Sequence, residues 1–344
     1  MRALVLSVAL LVGGARAWAD SQPASGLETW WTEVNTVLDE LAARHKIVPP
    51  TPVQVRWRAR EIWSGALSGE LVDLMAVDLG GDGKSELVAL TADEVVVFSR
   101  TRGLFKRQML ASLPLKPASL RSRDPIGSLG IVVDEGLLTL RARSSEQAVA
   151  GIYQLESGVL RQVSEAAGYP LCHSSTIFAA PGRNYFLGET ALWSEGGNPK
   201  ELAEALYSVR CTRAAVDPSG RAVELLSAVS TAGELRLHCT GNPEFCALVE
   251  REYQGVGDAH VIADINNDGF PDLIHSSRTS PQERDSVQVL GRDESGQPVQ
   301  RYQHEFGGGI VGIAAGDFSG DRLLEVVVAE RVRGTRKVTL WLLN

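Results

Sequence analysis

Apolar positions along this chain follow two different periods. Between Ser25 and Ile47 they recur at intervals of three and four, through Leu27, Trp30, Trp31, Val34, Val37, Leu38 and Leu41, which predicts an amphipathic helix. Ser25 with Glu28 three residues on makes a capping box, and Pro49-Pro50 end the helix. Its two tryptophans either pack on the main body or dock to a partner or a membrane surface, and both readings stay open at this point. Past Pro50 the helical period disappears. Short alternating segments, separated by Gly, Asp, Asn and Ser, run from there to the C-terminus and predict an all-β fold.

One loop stands out among the strand-like segments. Asp264-Ile265-Asn266-Asn267-Asp268-Gly269-Phe270-Pro271-Asp272 places side-chain oxygens at positions 1, 3, 5 and 9 of a tight turn. Hard cations such as calcium take about six to eight oxygen ligands, and Gly269 supplies the bend that lets both halves of the loop face one ion. An EF-hand would need Glu at position 12, where this chain has His275. The flanks, Val261-Ile262-Ala263 and Leu273-Ile274, read as strands, so the expected unit is a strand-loop-strand calcium hairpin.

The pattern repeats. Asp78-Leu79-Gly80-Gly81-Asp82-Gly83-Lys84-Ser85-Glu86 and Asp317-Phe318-Ser319-Gly320-Asp321-Arg322-Leu323-Leu324-Glu325 fall in the same register, each after a small-apolar run and before a strand. Weaker echoes lie at Asp217-Pro218-Ser219-Gly220, where Arg221 follows and the loop should be empty, and at Asp124-Pro125. Pro181-Gly182-Arg183-Asn184 would be a sixth loop without acids. These points average roughly 48 residues apart, the length of a four-stranded propeller blade with its loops. The expectation is a β-propeller of six four-stranded blades. The last copy ends one strand short, and Val53–Ile62, strand-like and ahead of the first repeat, is expected to pair near Lys337–Leu343 and close the ring without a free sheet edge.

Composition and charge narrow the setting. Met1-Arg2 followed by the apolar run Ala3–Val12 is too short to span a bilayer and reads as a secretory signal peptide. Cleavage is expected after Ala17-Trp18-Ala19, with Ala15-Arg16-Ala17 as the other choice. The domains are then 1–19, signal peptide; 20–50, helical segment and linker; and 51–344, propeller. No later segment is apolar enough to cross a membrane as a helix. A net charge of −8 and a pI near 5.4 argue against nucleic-acid binding, since phosphate backbones would repel the chain. Four cysteines, Cys172, Cys211, Cys239 and Cys246, in an exported chain predict two disulfides. The turn-like Thr240–Pro243 favours Cys239 with Cys246, leaving Cys172 for Cys211.

The repeats resemble FG-GAP/VCBS repeats, the calcium-loop blades of integrin α-chain propellers and of many secreted bacterial proteins. Phe306-Gly307 through Ala315-Gly316-Asp317-Phe318-Ser319-Gly320-Asp321 looks like that family's opening half, with Ala329-Glu330-Arg331 where its Gly-Ala-Pro would fall. The resemblance covers roughly residues 52–344. It implies metal ligands at positions 1, 3, 5 and 9 plus the carbonyl of position 7. That gives Asp264, Asn266, Asp268, Phe270 and Asp272; then Asp78, Asp82, Lys84 and Glu86, with Gly80 offering no side chain; then Asp317, Ser319, Asp321 and Glu325. Arg322 replaces the bend glycine of the third loop and adds a competing positive charge. Occupancy by one to three structural calcium ions is expected to fall in the order 264, 78, 317.

Catalytic patterns are absent from the linear sequence. His45, His173, His238, His260, His275 and His304 are scattered, and there is no H-E-x-x-H, G-x-S-x-G or Gly-rich phosphate loop. The resemblance implies a non-catalytic module, periplasmic or extracellular, that binds a protein, a glycan or an envelope component. The alternative is a polysaccharide hydrolase or lyase whose catalytic residues gather from several blades and whose calcium is structural. Clustered Asp, His, Tyr and Arg at one mouth of the central channel would favour the second, and a flat or mixed face the first.

Overall fold

The computed structural model describes residues 55–117, 127–134, 137–144, 146–166, 190–192, 200–202, 206–216, 222–230, 232–240, 243–257, 259–277, 284–293, 296–332, 335 and 337–344. By internal contacts the chain divides into units 1–48 and 49–344, and every described residue belongs to the second. The signal peptide, the predicted helix from Ser25 to Ile47, and Cys172 and Pro181–Asn184 lie outside the described residues.

The described chain is β-sheet with one short helix, Pro243–Val249. Five antiparallel four-stranded sheets follow one another. The first holds β2 (Leu71–Val77), β3 (Glu86–Thr91), β4 (Glu94–Thr101) and β5 (Leu104–Ser112). The second holds β6 (Gly127–Asp134), β7 (Leu137–Ser144), β8 (Ala150–Glu156) and β9 (Val159–Ala166). After the two-stranded ladder of β10 (Thr190–Leu192) and β11 (Lys200–Leu202) comes the third, with β12 (Leu206–Val216), β13 (Ala222–Ser230), β14 (Glu234–Thr240) and β15 (Glu252–Gln254). The fourth holds β16 (His260–Ala263), β17 (Asp272–Ser276), β18 (Asp285–Arg292) and β19 (Pro298–Phe306). The fifth holds β20 (Gly309–Gly316), β21 (Glu325–Arg331) and β22 (Lys337–Leu343), with β1 (Ala59–Ala66) as its outer strand.

First strands of successive sheets lie side by side: β2 against β20 and β6, and β16 against β20 and β12. This is propeller geometry, with first strands lining the axis. Convergence at the axis leaves no room for large side chains. A Cβ on Gly312 would come within 2.9 Å of the Leu74 Cβ, and one on Gly316 within 2.5 Å of the Ala76 Cβ. The core is correspondingly divided into slabs between neighbouring blades. Leu74, Leu87, Val96 and Phe98 of the first blade pack with Ala314, Val327 and Leu340 of the last, and Ile262 and Leu273 pack with Leu225, Val229 and Leu235 one blade back.

Five four-stranded blades are present among the described residues, where repeat spacing predicts six. One register point misleads the count: the stretch around 180 falls in the connection from β9 to β12, whose described part is only the β10–β11 ladder, whereas Asp124-Pro125 does mark a blade, although it precedes the first strand, β6, instead of linking first and second strands. The echo at Asp217 does lie between β12 and β13, but its loop is outside the described residues.

Closure follows the predicted logic with a shifted strand. β1 runs antiparallel to β22, from Ala59 opposite Leu343 to Ala66 opposite Lys337, a few residues beyond the expected Val53–Ile62. A bulge between Glu61 and Trp63 lets Ile62 turn into the core, where it is 3% exposed. Trp63 reaches past its own blade to meet Phe98 edge-on at 5.1 Å, so β1 also ties the last blade to the first. The Cys239–Cys246 disulfide forms as expected, with a Cα–Cα separation of 5.3 Å. It joins β14 to the helix Pro243–Val249, where the sequence suggests a turn. Cys211 is disulfide-bonded too.

Candidate metal centre

Three loops of one conformation sit between first and second strands: 78–86 between β2 and β3, 264–272 between β16 and β17, and 317–325 between β20 and β21. Their position-4 residues share positive φ (Gly81 68°, Asn267 56°, Gly320 81°), as do their position-6 residues (Gly83 83°, Gly269 84°, Arg322 68°). Arg322 therefore holds a left-handed backbone that glycine adopts without strain.

Hydrogen bonds repeat as faithfully as the backbone. The position-1 carboxylate accepts the amides of positions 5 and 6: Asp78 from Asp82 and Gly83, Asp264 from Asp268 and Gly269, Asp317 from Asp321 and Arg322. The position-5 carboxylate accepts the amide of position 7, which is Lys84, Phe270 or Leu323. In two loops the position-9 carboxylate reaches back to the amide of position 2, Glu86 to Leu79 at 2.9 Å and Asp272 to Ile265 at 3.2 Å. These bonds turn the acids inward around each bend. Among the described residues, no three His, Cys, Asp or Glu side chains close into a cage by themselves, so any cation here would also need the amide and carbonyl oxygens of the loop.

The three loops fit a calcium ion unequally. At 264 every position is filled, Asn266 and Asp272 are buried, and Asn266 donates to Asp268 at 2.9 Å. Burial, followed by the charge of Asp268, pushes the Asp272 carboxyl up to about 7, and burial also raises Asp264. Several carboxylates are crowded out of water here, and Arg301 only partly offsets the burial and repulsion at Asp272, so the remaining negative charge suits a divalent cation. The loop at 78 carries the same acids on an exposed turn without a position-3 oxygen, and Glu86 is raised by burial and then by Asp78 and Asp82.

The loop at 317 is arranged differently at position 9. Glu325, 7% exposed, is held by Arg100 from β4 of the neighbouring blade, whose Nη1 donates to both carboxylate oxygens at 2.8 and 2.7 Å. Asn344 adds a third donor at 3.1 Å. A guanidinium thus neutralises the position-9 carboxylate of this loop directly, and Ser319 is exposed. Arg100→Ala should then cost about 3 kcal/mol in chelator, because it strands a buried carboxylate. Millimolar calcium should return part of that loss, but not in Arg100→Ala/Asp321→Ala, as thermal melts will show. Equal losses with and without calcium would contradict the replacement of the metal by Arg100.

On the axis, Asp73 sits in the middle of β2. Its Oδ1 accepts from the Leu74 amide at 2.8 Å and Arg210 Nη2 at 2.5 Å, and its Oδ2 accepts from the Leu129 amide on β6 at 2.7 Å. Arg210 Nη1 also donates to the Leu74 carbonyl at 3.1 Å. One ion pair thereby links the first strands of three blades. Burial pushes Asp73 up, and Arg210 followed by the two amides pulls it back. Two buried histidines lie on the fourth blade: His260 Nε2 lies 2.7 Å from Ser227 Oγ, and His275 Nδ1 is 2.7 Å from the Ser276 carbonyl, with burial lowering its pKa.

Propeller geometry and repeated loops define the class, and residues 264–328 match the family model described as an FG-GAP-like repeat. The described chain is a β-propeller, within which residues 264–328 are similar to an FG-GAP-like repeat. No curated protein matches it. Among solved structures, an α-L-arabinanase of Penicillium chrysogenum complexed with arabinobiose is similar at 14% identity and a TM-score of 0.43, over 85% of this chain and 98% of that one. A chain of a mitotic checkpoint complex is similar at 9% identity and a TM-score of 0.40, over 86% and 96%. Likeness at that level says nothing about activity.

Proposed function

We propose that this chain is an exported, calcium-binding β-propeller that works as a non-catalytic binding module for a protein or glycan, in the cell envelope or outside the cell. The observation that carries the reading is the loop at 264, a complete and half-buried oxygen donor set whose crowded carboxylates outweigh the opposing charge of Arg301. Asp264, Asn266, Asp268, Asp272 and the Phe270 carbonyl would hold the ion, which when bound supplies positive charge that staples β16 to β17. The loop at 78 is a weaker second site. Disulfide-bonded Cys211, Cys239 and Cys246 support an oxidising compartment. Asp73 supports the absence of catalysis: glycoside hydrolysis calls for two carboxyl groups flanking the bond, and this axial acid is spent on Arg210 and two amides.

Two measurements test the reading. With free calcium at ten times its dissociation constant, the folded state gains about 1.4 kcal/mol per site, a rise of a few degrees in melting midpoint. Asp268→Ala should lose most of that rise and Asp321→Ala should keep it, while magnesium should do much less because its smaller shell demands octahedral geometry. A wild type indifferent to chelator refutes the calcium reading. Incubation with a panel of neutral and acidic polysaccharides should release no reducing ends, and release that disappears in Asp73→Asn would overturn the non-catalytic reading.

A further inference from the structure

The loop at 264 differs from its two sisters at position 7, the residue whose carbonyl belongs to the donor set. Lys84 is exposed, and Leu323 is 41% exposed. Phe270 instead packs against the third blade. Its ring stacks on Phe245 with centroids 6.3 Å apart and planes 6° from parallel, and the Arg292 guanidinium of β18 lies 4.0 Å from its centroid. Phe245 is 6% exposed, in the cluster with Leu237, Val249 and Leu273. It belongs to the helix Pro243–Val249, which at seven residues is too short to persist without tertiary support. The next residue, Cys246, fixes that helix to β14 through the bridge to Cys239.

We infer that Phe245 is a positioning residue for the metal loop of the following blade, and that the Cys239–Cys246 bridge sets calcium affinity at 264 by holding Phe245 against Phe270. The inference rests on the calcium reading above. The physical chain is short. A stacked ring fixes the Phe270 side chain, the amide of Phe270 is already fixed by Asp268 at 2.9 Å, and its carbonyl is then held in one orientation between Gly269 and buried Pro271. A ligand ordered before the ion arrives removes an entropic cost from binding. The loops at 78 and 317 lack this clamp at position 7.

The test compares wild type with Phe245→Ala, Phe245→Tyr and Cys239→Ser/Cys246→Ser. Amide hydrogen exchange is read first, in chelator, at residues 268–270 and at the sister loop 82–84. Phe245→Ala and the double cysteine variant should speed exchange at 268–270 by about tenfold and leave 82–84 unchanged, while Phe245→Tyr, which keeps the ring, should match wild type. Calorimetry with calcium alone should then give an affinity about tenfold weaker in the first two variants and unchanged in Phe245→Tyr. Unchanged exchange at 268–270, or equal acceleration in both loops, would overturn the positioning role. Unchanged calcium affinity in a wild type that does bind would overturn the link to the metal. If wild type binds no calcium, the function reading fails by itself, and exchange in chelator still decides whether Phe245 positions the loop.

Discussion

Removal of residues 55–66 is expected to leave no cooperatively melting monomer. β1 is the outer strand of the last blade, which packs through slabs shared with the first blade and with the fourth, so the segment's loss is felt on both sides. Ile62 leaves the core, Trp63 leaves Phe98, and Trp57 leaves Tyr302 of the fourth blade, against which it packs at 5.5 Å. Truncating a buried large apolar side chain costs roughly 2–5 kcal/mol, and a domain holds only about 5–15 in total. The stripped β22 would also present an open edge to other chains. A synthetic peptide of residues 55–66 added in excess should restore a cooperative melt. A truncated protein that remains monomeric with an unchanged midpoint would show that the ring does not depend on this strand.

Arg210→Met should destabilise the chain by about 3–5 kcal/mol at pH 8, the cost of breaking a buried pair by removing one partner. Both side chains are well covered, at 18% and 7% exposed. The loss should shrink at pH 5. Burial already raises Asp73, and without Arg210 its folded-state pKa rises further above the unfolded value near 4. A raised carboxyl takes up its proton more readily in the folded chain. Stability is therefore lost as pH climbs from the unfolded value through the folded one, and it is retained below. Urea melts of wild type and variant at both pH values decide the matter, and a pH-independent difference would mean that the charge on Asp73 is not what Arg210 serves.

The sequence made the three loops and the ring closure legible because each is local or periodic. A nine-residue turn with oxygens at fixed positions states its own geometry, and a last repeat one strand short calls for a strand from elsewhere. The blade count was harder. The connection from β9 to β12 has blade length without a four-stranded sheet among the described residues.

Contacts distant in sequence left weaker traces. Arg100 meets Glu325 across 225 residues, and nothing in Phe98-Ser99-Arg100 marks it as the counter-charge of a loop. Asp73 did leave a signal: it is a lone charge inside the apolar strand Leu71–Val77, and a buried charge needs a partner, whereas Arg210 shares Leu206–Val216 with Arg213 and nothing marks which of the two provides it. The helix Pro243–Val249 was hidden because Thr240-Gly241-Asn242-Pro243 reads as a hairpin turn, whereas Pro243 is the first residue of a helix, where its missing N–H costs nothing.

On the proposed reading one loop design serves two ways, with a cation at 264 and a guanidinium at 317. Long-wavelength anomalous diffraction from crystals grown in millimolar calcium distinguishes the two. A peak is expected about 2.3–2.6 Å from oxygens of Asp264, Asn266, Asp268, Phe270 and Asp272, and none at 317, where Arg100 remains on Glu325. An empty loop at 264, or calcium at 317 beside an intact Arg100–Glu325 pair, would contradict that reading.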